Sequence, residues 1–137
     1  MTMTAEALQS TLDGIAAEYV RRLRLRVVEA SDEAVVVDMP VTAELVHGGG
    51  VLCGQAILSA ADTAMLLAMI VRLGGFKPMT TVQLQTSFLR PVPGDAVSVK
   101  VVARVLRLGK SLSYGEVDFL TADGRLAAKA STTYALI

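Results

Sequence analysis

A helix-length apolar segment with one acid in its middle constrains this sequence more than any other feature. Between Gln55 and Val71 almost every side chain is apolar, and Asp62 is the only charged residue. A helix that is apolar on nearly every side is a buried helix. An ionised carboxylate in such a place is costly unless something pairs with it or uses it. We therefore predict a buried central helix over Gly54–Leu73, ended by Gly74, with Asp62 as a functional candidate.

The rest of the sequence predicts an antiparallel sheet around that helix. An amphipathic helix is predicted over 5–19, and the remaining apolar runs have the alternation and turn residues typical of strands. These predicted strands are 23–29, 34–39, 80–89, 96–108, 112–121 and 125–135. Because the connections after the central helix are short, we expect antiparallel neighbours. The prediction is a single α+β domain over residues 1–137, with the sheet wrapped around one long helix.

Composition narrows the possible partners. Apolar residues make up 53% of the chain and the mean hydropathy is +0.52, which indicates surface buried against a second copy. With 13 basic and 13 acidic residues, nothing favours nucleic acid. The single cysteine allows no internal disulfide, and the N-terminus lacks a signal-peptide pattern, so we expect a cytoplasmic protein. Polar residues interrupt the apolar segment, so a membrane span is not expected.

The glycines before the central helix indicate an anion site. Gly48, Gly49, Gly50 and Gly54 lie at or just before its start, and a helix N-terminus offers free N–H groups and a favourable dipole. The Gly54 amide, with that of Gln55 beside it, could hold the oxyanion of an acyl-transfer reaction. The alternative is a glycine needed only for the backbone turn.

Four segments together resemble the hotdog-fold acyl-CoA thioesterases, in particular the phenylacetate-pathway type. The resemblance covers about residues 20–137 and rests, in order, on 49–54, 61–64, 80–95 and 107–111. It implies the hotdog fold, paired central helices, and active sites shared between the chains of a homodimer that pairs again into a tetramer. It also implies that Thr81 is the hydroxyl residue that supports the acid or the attacking water.

The helix start departs from the usual pattern of that family. The family has a His-Gly-Gly sequence nine residues before the acid, and counting back nine residues from Asp62 gives Cys53. His47 stands where the family often has an asparagine, and we expect it to donate a hydrogen bond to the thioester oxygen. The nine-residue register keeps Gly54 at the start of the helix.

Helix geometry predicts that two chains build each site. Nine residues separate Cys53 from Asp62, which is about 13 Å along the axis and on opposite faces of one helix. One helix cannot bring its own N-terminus and its own Asp62 to the same carbonyl, so the site requires a homodimer. Asp62 would act as a general base or a nucleophile. The alternative is a buried acid that only hydrogen-bonds, to Thr63 or to a strand backbone.

The remaining candidates concern the coenzyme and alternative nucleophiles. Charged and polar residues at strand ends and turns could contact the phosphates of coenzyme A: Arg90, Arg107, Lys110 and Ser111, with Cys53 and Gln55 near the helix start. Cys53 could also act as a nucleophile with His47 as its base, or be an inert small residue. His47 is the only histidine, which excludes a histidine-based metal cluster.

The predicted function is hydrolysis of a small or medium acyl-CoA thioester, with no metal or bound cofactor, since coenzyme A belongs to the substrate. Pocket size would depend on Met65, Leu66, Met69 and Phe88. Two alternatives stay open. One is an acyl-CoA-binding module without turnover. The other is a hotdog enoyl-CoA hydratase or dehydratase, which would pair a histidine with an acid.

Overall fold

The computed structural model describes residues 3–137, and its elements follow the predicted order. The helices are α1 (Ala5–Ile15), α2 (Glu18–Arg21) and α3 (Gly54–Leu73), and a 3-10 turn spans Ala43–Leu45. The strands are β1 (Arg26–Ala30), β2 (Val35–Pro40), β3 (Met79–Phe88), β4 (Ser98–Leu108), β5 (Leu112–Leu120) and β6 (Leu126–Leu136). The long helix has its predicted bounds, and Gly74 ends it in the left-handed conformation with φ 78°. The prediction of a single N-terminal helix over 5–19 is wrong, because the backbone of Ala16 and Ala17 is extended and separates α1 from α2.

The sheet has six antiparallel strands in the order β1-β2-β4-β5-β6-β3. The expectation that β3 and β4 are neighbours is wrong, since β3 pairs with β6 at the far edge. Pro91 and Pro93 lack the amide donors that a hairpin ladder needs. Their segment instead runs past the loop before α3, where the Val92 carbonyl accepts a hydrogen bond from the Leu52 amide at 2.9 Å.

The core lies between the sheet and α3, as in the expected hotdog architecture. Met65, Leu67 and Ile70 of the helix are fully buried together with Phe119 of β5, and burying each such side chain stabilises the fold by about 1.5–3 kcal/mol. Gly115 permits the close approach of helix and sheet, because a Cβ there would lie 2.5 Å from the Met65 sulfur. The prediction that Met65 and Met69 set the pocket size is wrong, because both belong to this core.

One stripe of α3 is not covered by the sheet of its own chain. Leu58, Asp62, Leu66 and Leu73 are only half-buried, and their spacings of four, four and seven residues place them along one side of the helix. Asp62 is therefore less enclosed than the sequence suggested. The helix is long and apolar enough to cross a membrane, but most of it is buried inside the fold. The open stripe runs beside β3, which is an edge strand.

Candidate active site

The Asp62 carboxylate is held by two hydroxyl groups from the sheet. Its Oδ1 accepts a hydrogen bond from Thr81 Oγ1 at 2.6 Å and another from the Tyr134 hydroxyl at 2.6 Å. The Tyr134 hydroxyl also lies 2.6 Å from the backbone carbonyl oxygen of Asp62. Thr63 is not the partner, because its hydroxyl donates to the Ser59 carbonyl at 2.9 Å. Within residues 3–137, Asp62 Oδ2 accepts no hydrogen bond, so one carboxylate oxygen is held and the other is free.

The pairing of β3 with β6 brings the two hydroxyls together. Thr81 and Tyr134 are cross-strand partners, and the register shifts by one residue between Thr81 and Gln83, which leaves Val82 as the extra residue of a bulge. The Thr132 hydroxyl donates to the Gln83 carbonyl at 2.9 Å and so occupies an acceptor beside the bulge. Bulges of this kind re-aim side chains next to active sites. Here the bulge turns Thr81 toward α3.

Tyr134 stays protonated at any pH near neutrality. Burial raises the pKa of its hydroxyl far above the ordinary tyrosine value, and the negative charge of Asp62 and the hydrogen bond to it raise the pKa further. The hydrogen bond with Thr81 lowers the pKa of Tyr134, but by less than the other effects raise it. The side chain is only 4% exposed. Tyr134 is therefore a permanent hydrogen-bond donor to Asp62.

The start of α3 offers free amide donors, as the glycines predicted. Cys53 caps the helix without a side-chain hydrogen bond, and no acidic residue lies in the first turn. Among the residues that the structure describes, none accepts a hydrogen bond from the amides of Gly54 or Gln55. Such amides, aligned with the helix dipole, attract an anion or a developing oxyanion.

An apolar cavity of about 360 Å³ opens beside Gly54. The Phe88 ring forms one wall, 3.5 Å from the position that a Gly54 Cβ would occupy, and Leu52, Ile57 and Arg90 also line the cavity. A largely apolar wall with a few polar groups at its edge is typical of a site for a small ligand. Phe88 therefore lines a cavity, as its predicted role in the acyl pocket requires.

One chain does not bring its amide donors to its own acid. Gly54 and Asp62 are eight residues apart on the same helix, which is about 12 Å along its axis. They also lie against different parts of the edge strand, because Gly54 packs beside Phe88 at the end of β3 and Asp62 beside Thr81 near its beginning.

The structure places His47, Cys53 and Gln55 around the start of α3 without joining them to Asp62. His47 is exposed, and its Nδ1 accepts a hydrogen bond from the Gly49 amide at 2.8 Å. The proton of a neutral His47 is therefore on Nε2, which is left to donate. Cys53 is half-buried in a separate cavity of about 230 Å³ that Tyr19 also lines. Gln55 is exposed.

The candidate phosphate-binding residues fall at two ends of the sheet. Arg90 is exposed beside the cavity at Gly54, and its amide bonds the Ala127 carbonyl at the start of β6. Ser111 lies at the other end of β6, where its carbonyl accepts from the Leu136 amide. Lys110 and Arg107 are exposed near Ser111. Within one chain these residues do not form a single phosphate site.

Tyr134 was not predicted as a site residue. The sequence placed it only in the last strand, and nothing in its neighbours marks its contact with Asp62, which depends on strand order and register.

A metal-binding group is not found in the part of the chain that the structure describes. No three His, Cys, Asp or Glu side chains there lie close enough together to hold a metal ion.

Comparisons with known proteins identify the family of this chain. Residues 46–128 match the family model of the thioesterase superfamily. A protein of Saccharolobus solfataricus, named as a candidate esterase, is 34% identical over 109 residues, which is 79% of this chain and 75% of the relative.

Solved structures share the fold. A conserved Pseudomonas aeruginosa protein is 30% identical, with TM-score 0.82 over 91% of this chain and 98% of its own. A thioesterase of Haemophilus influenzae is 23% identical, with TM-score 0.87 over 100% and 92% of the two chains. The PaaI protein from the phenylacetic acid degradation operon of E. coli is 20% identical, with TM-score 0.82 over 98% and 96%. The chain belongs to the thioesterase superfamily and has the hotdog fold.

Proposed function

We propose that this protein hydrolyses small or medium acyl-CoA thioesters. The Asp62 carboxylate acts as the general base or the nucleophile, and the Gly54 amide is the oxyanion donor. Membership of the thioesterase superfamily supports thioester hydrolysis in general. The observation that carries the finer proposal is the Asp62 carboxylate itself. Two hydroxyls hold one of its oxygens, and the other is free on an open stripe of α3. A purely structural acid would be expected to use both oxygens.

Each site needs two chains, and the free edge of β3 supplies a way to join them. Asp62 lies beside Thr81 near the beginning of this strand, and Gly54 lies beside Phe88 at its end. If two β3 edges pair antiparallel about a two-fold axis, the beginning of one strand meets the end of the other. That pairing brings Gly54 of one chain toward the partner's Asp62 and covers the open stripe of α3.

The same pairing unites the candidate phosphate contacts. Arg90 follows the end of β3. Ser111 and Lys110 lie at the opposite end of the sheet, where β3 begins, and the end of β6 separates them from β3. In the proposed dimer, Arg90 of one chain therefore approaches Lys110 and Ser111 of the partner. These residues would hold the phosphates of coenzyme A at the rim of the shared site. We propose further pairing into a tetramer, in keeping with the apolar composition.

The chemistry follows from the free carboxylate oxygen. Asp62 Oδ2 takes a proton from water, whose oxygen attacks the thioester carbonyl carbon. The carbonyl oxygen becomes an oxyanion held by the partner's Gly54 amide. The carbon–sulfur bond then breaks and releases the carboxylic acid product and the coenzyme A thiolate. The thiolate takes the proton from Asp62 and leaves it ionised again. Direct attack by Asp62 is the alternative route, and neither route needs a metal or a bound cofactor.

The test is an Asp62→Asn variant assayed with acetyl-, hexanoyl- and phenylacetyl-CoA by thiol release. Asparagine keeps the size of the side chain and removes its ability to accept a proton. We expect kcat to fall by about 10²- to 10⁴-fold, with the melting temperature little changed. Asp38→Asn is the matched control, because Asp38 is a half-buried aspartate of β2, outside the site. An Asp62→Asn variant with wild-type kcat would rule out this function for Asp62.

A further inference from the structure

We infer that Tyr134 is a positioning residue for the Asp62 carboxylate and selects Oδ2 as the oxygen that meets the substrate. The inference rests on the proposed function of Asp62. Tyr134 belongs to the last strand. Its hydroxyl holds the Asp62 carboxylate in place and does not itself need to touch the substrate.

The contacts of the Tyr134 hydroxyl fix the carboxylate relative to its own backbone. The hydroxyl lies 2.6 Å from Asp62 Oδ1 and 2.6 Å from the Asp62 carbonyl oxygen. Because one group contacts both the side chain and the main chain of the same residue, the carboxylate cannot swing to another rotamer without losing a contact. Thr81 adds a second donor to Oδ1 at 2.6 Å. Together the two hydroxyls occupy Oδ1 and leave Oδ2 without a donor among the described residues.

Tyr134 is itself rigid enough for this role. β6 lies between β5 and β3, where Tyr134 pairs with Ser113 on one side and Thr81 on the other. Its side chain is 4% exposed. A packed residue on a central strand holds a neighbouring group more accurately than a loop residue does. The position of Oδ2 is therefore set by the sheet and not by α3 alone.

The test is Tyr134→Phe, which keeps the ring and removes the hydroxyl, assayed with the best substrate of the acyl-CoA panel. We expect kcat to fall about 10- to 100-fold, as for a misplaced catalytic group. KM should stay within about threefold. Tyr114→Phe, which alters an exposed tyrosine of β5, is the matched control and should match the wild type.

A double variant separates positioning from general damage to the fold. In the Asp62→Asn background, Tyr134→Phe should change kcat by less than about twofold, because no base remains to be positioned. Further loss in that background, or wild-type kcat for Tyr134→Phe alone, would overturn the inference while leaving the function of Asp62 intact. Wild-type activity of Asp62→Asn would instead overturn the proposed function, and this inference with it.

Discussion

The two ends of β3 differ in how much of the site each one completes within a single chain. At the end near Phe88, the Gly54 amide has no acceptor among the described residues and faces an open cavity. At the end near Thr81, the Asp62 carboxylate already has two donors from its own sheet. Within one chain, the sheet therefore fixes the carboxylate in advance, whereas the amide at the start of the helix stays vacant, as the proposed role of each group requires.

After that of Asp62→Asn, the largest expected effect comes from removing the vacant amide donor of Gly54. Gly54→Pro deletes the N–H at the first position of α3, where proline is well tolerated, and Cys53 before it already has extended backbone with ψ 148°. We predict that kcat falls about 10²- to 10³-fold while the melting temperature changes little. The measurement is steady-state thiol release from the best acyl-CoA, beside a thermal melt.

Gly54→Ala is the matched control for that proline. Alanine places a Cβ in the same ordinary contact with the Phe88 ring, at 3.5 Å, but keeps the amide. Its kcat should stay within about threefold of the wild type. If alanine and proline reduce kcat equally, steric filling of the cavity explains the loss, and the amide is not the oxyanion donor.

The next effect is a gain of activity in mixed dimers. Gly54→Pro chains and Asp62→Asn chains, each nearly inactive alone, should form hybrids with one intact site when refolded together. Random pairing makes half of the dimers hybrids, with one working site in two, so about one quarter of wild-type activity should return. Native mass spectrometry would confirm that hybrid dimers have formed. Hybrids that form but have no activity would show that each site uses a single chain.

The smallest effect is expected in the salt bridges between β5 and β6. Lys129 pairs with Ser87 near the end of β3, but Ala128 and Ala130 on either side of it are buried, so strand alternation places the Lys129 side chain on the opposite face of the sheet. Lys129 Nζ lies 2.8 Å from Asp118 Oδ1. The hydrogen bond to Asp118 raises the pKa of the Lys129 amine despite partial burial. A raised lysine pKa stabilises the fold at neutral pH, and the contribution is lost only as the pH rises through the lysine range.

We therefore predict that Lys129→Met leaves kcat unchanged and lowers the free energy of unfolding by about 1 kcal/mol or less at neutral pH. The measurement is urea unfolding at low and high salt, at neutral pH and above the lysine pKa. The difference from wild type should shrink with salt and at alkaline pH. A loss of turnover on this substitution would mean that the sheet surface around Lys129 takes part in the site.

Local sequence patterns predicted the elements well and their assembly less well. The bounds of α3 followed from the uninterrupted apolar run and Gly74, and most strand limits were correct within one or two residues. The position of β3 beside β6 could not be predicted from local patterns, because it depends on contacts between residues distant in sequence. The short segment after β3 suggested a hairpin with β4, and only its two prolines hint that no hairpin forms.

The site residues show the same difference between what local patterns predict and what depends on contacts between distant residues. Asp62 and Gly54 were predicted from the chemistry of a lone acid and a glycine at a helix start. Thr81 depended on the resemblance, because simple alternation puts it on the opposite face from Leu84, and only the bulge at Val82 turns it inward. Tyr134 could not be found, since its contact with Asp62 requires the sheet register.

The sole cysteine has a practical consequence. Cys53 supplies the only sulfhydryl of the chain, half-buried directly before Gly54. A disulfide reagent that counts released coenzyme A therefore meets one competing target per chain, adjacent to the proposed oxyanion donor. Turnover that decays in such an assay, yet stays linear when thioester absorbance is followed directly, would report capture of that sulfhydryl and not exhaustion of substrate.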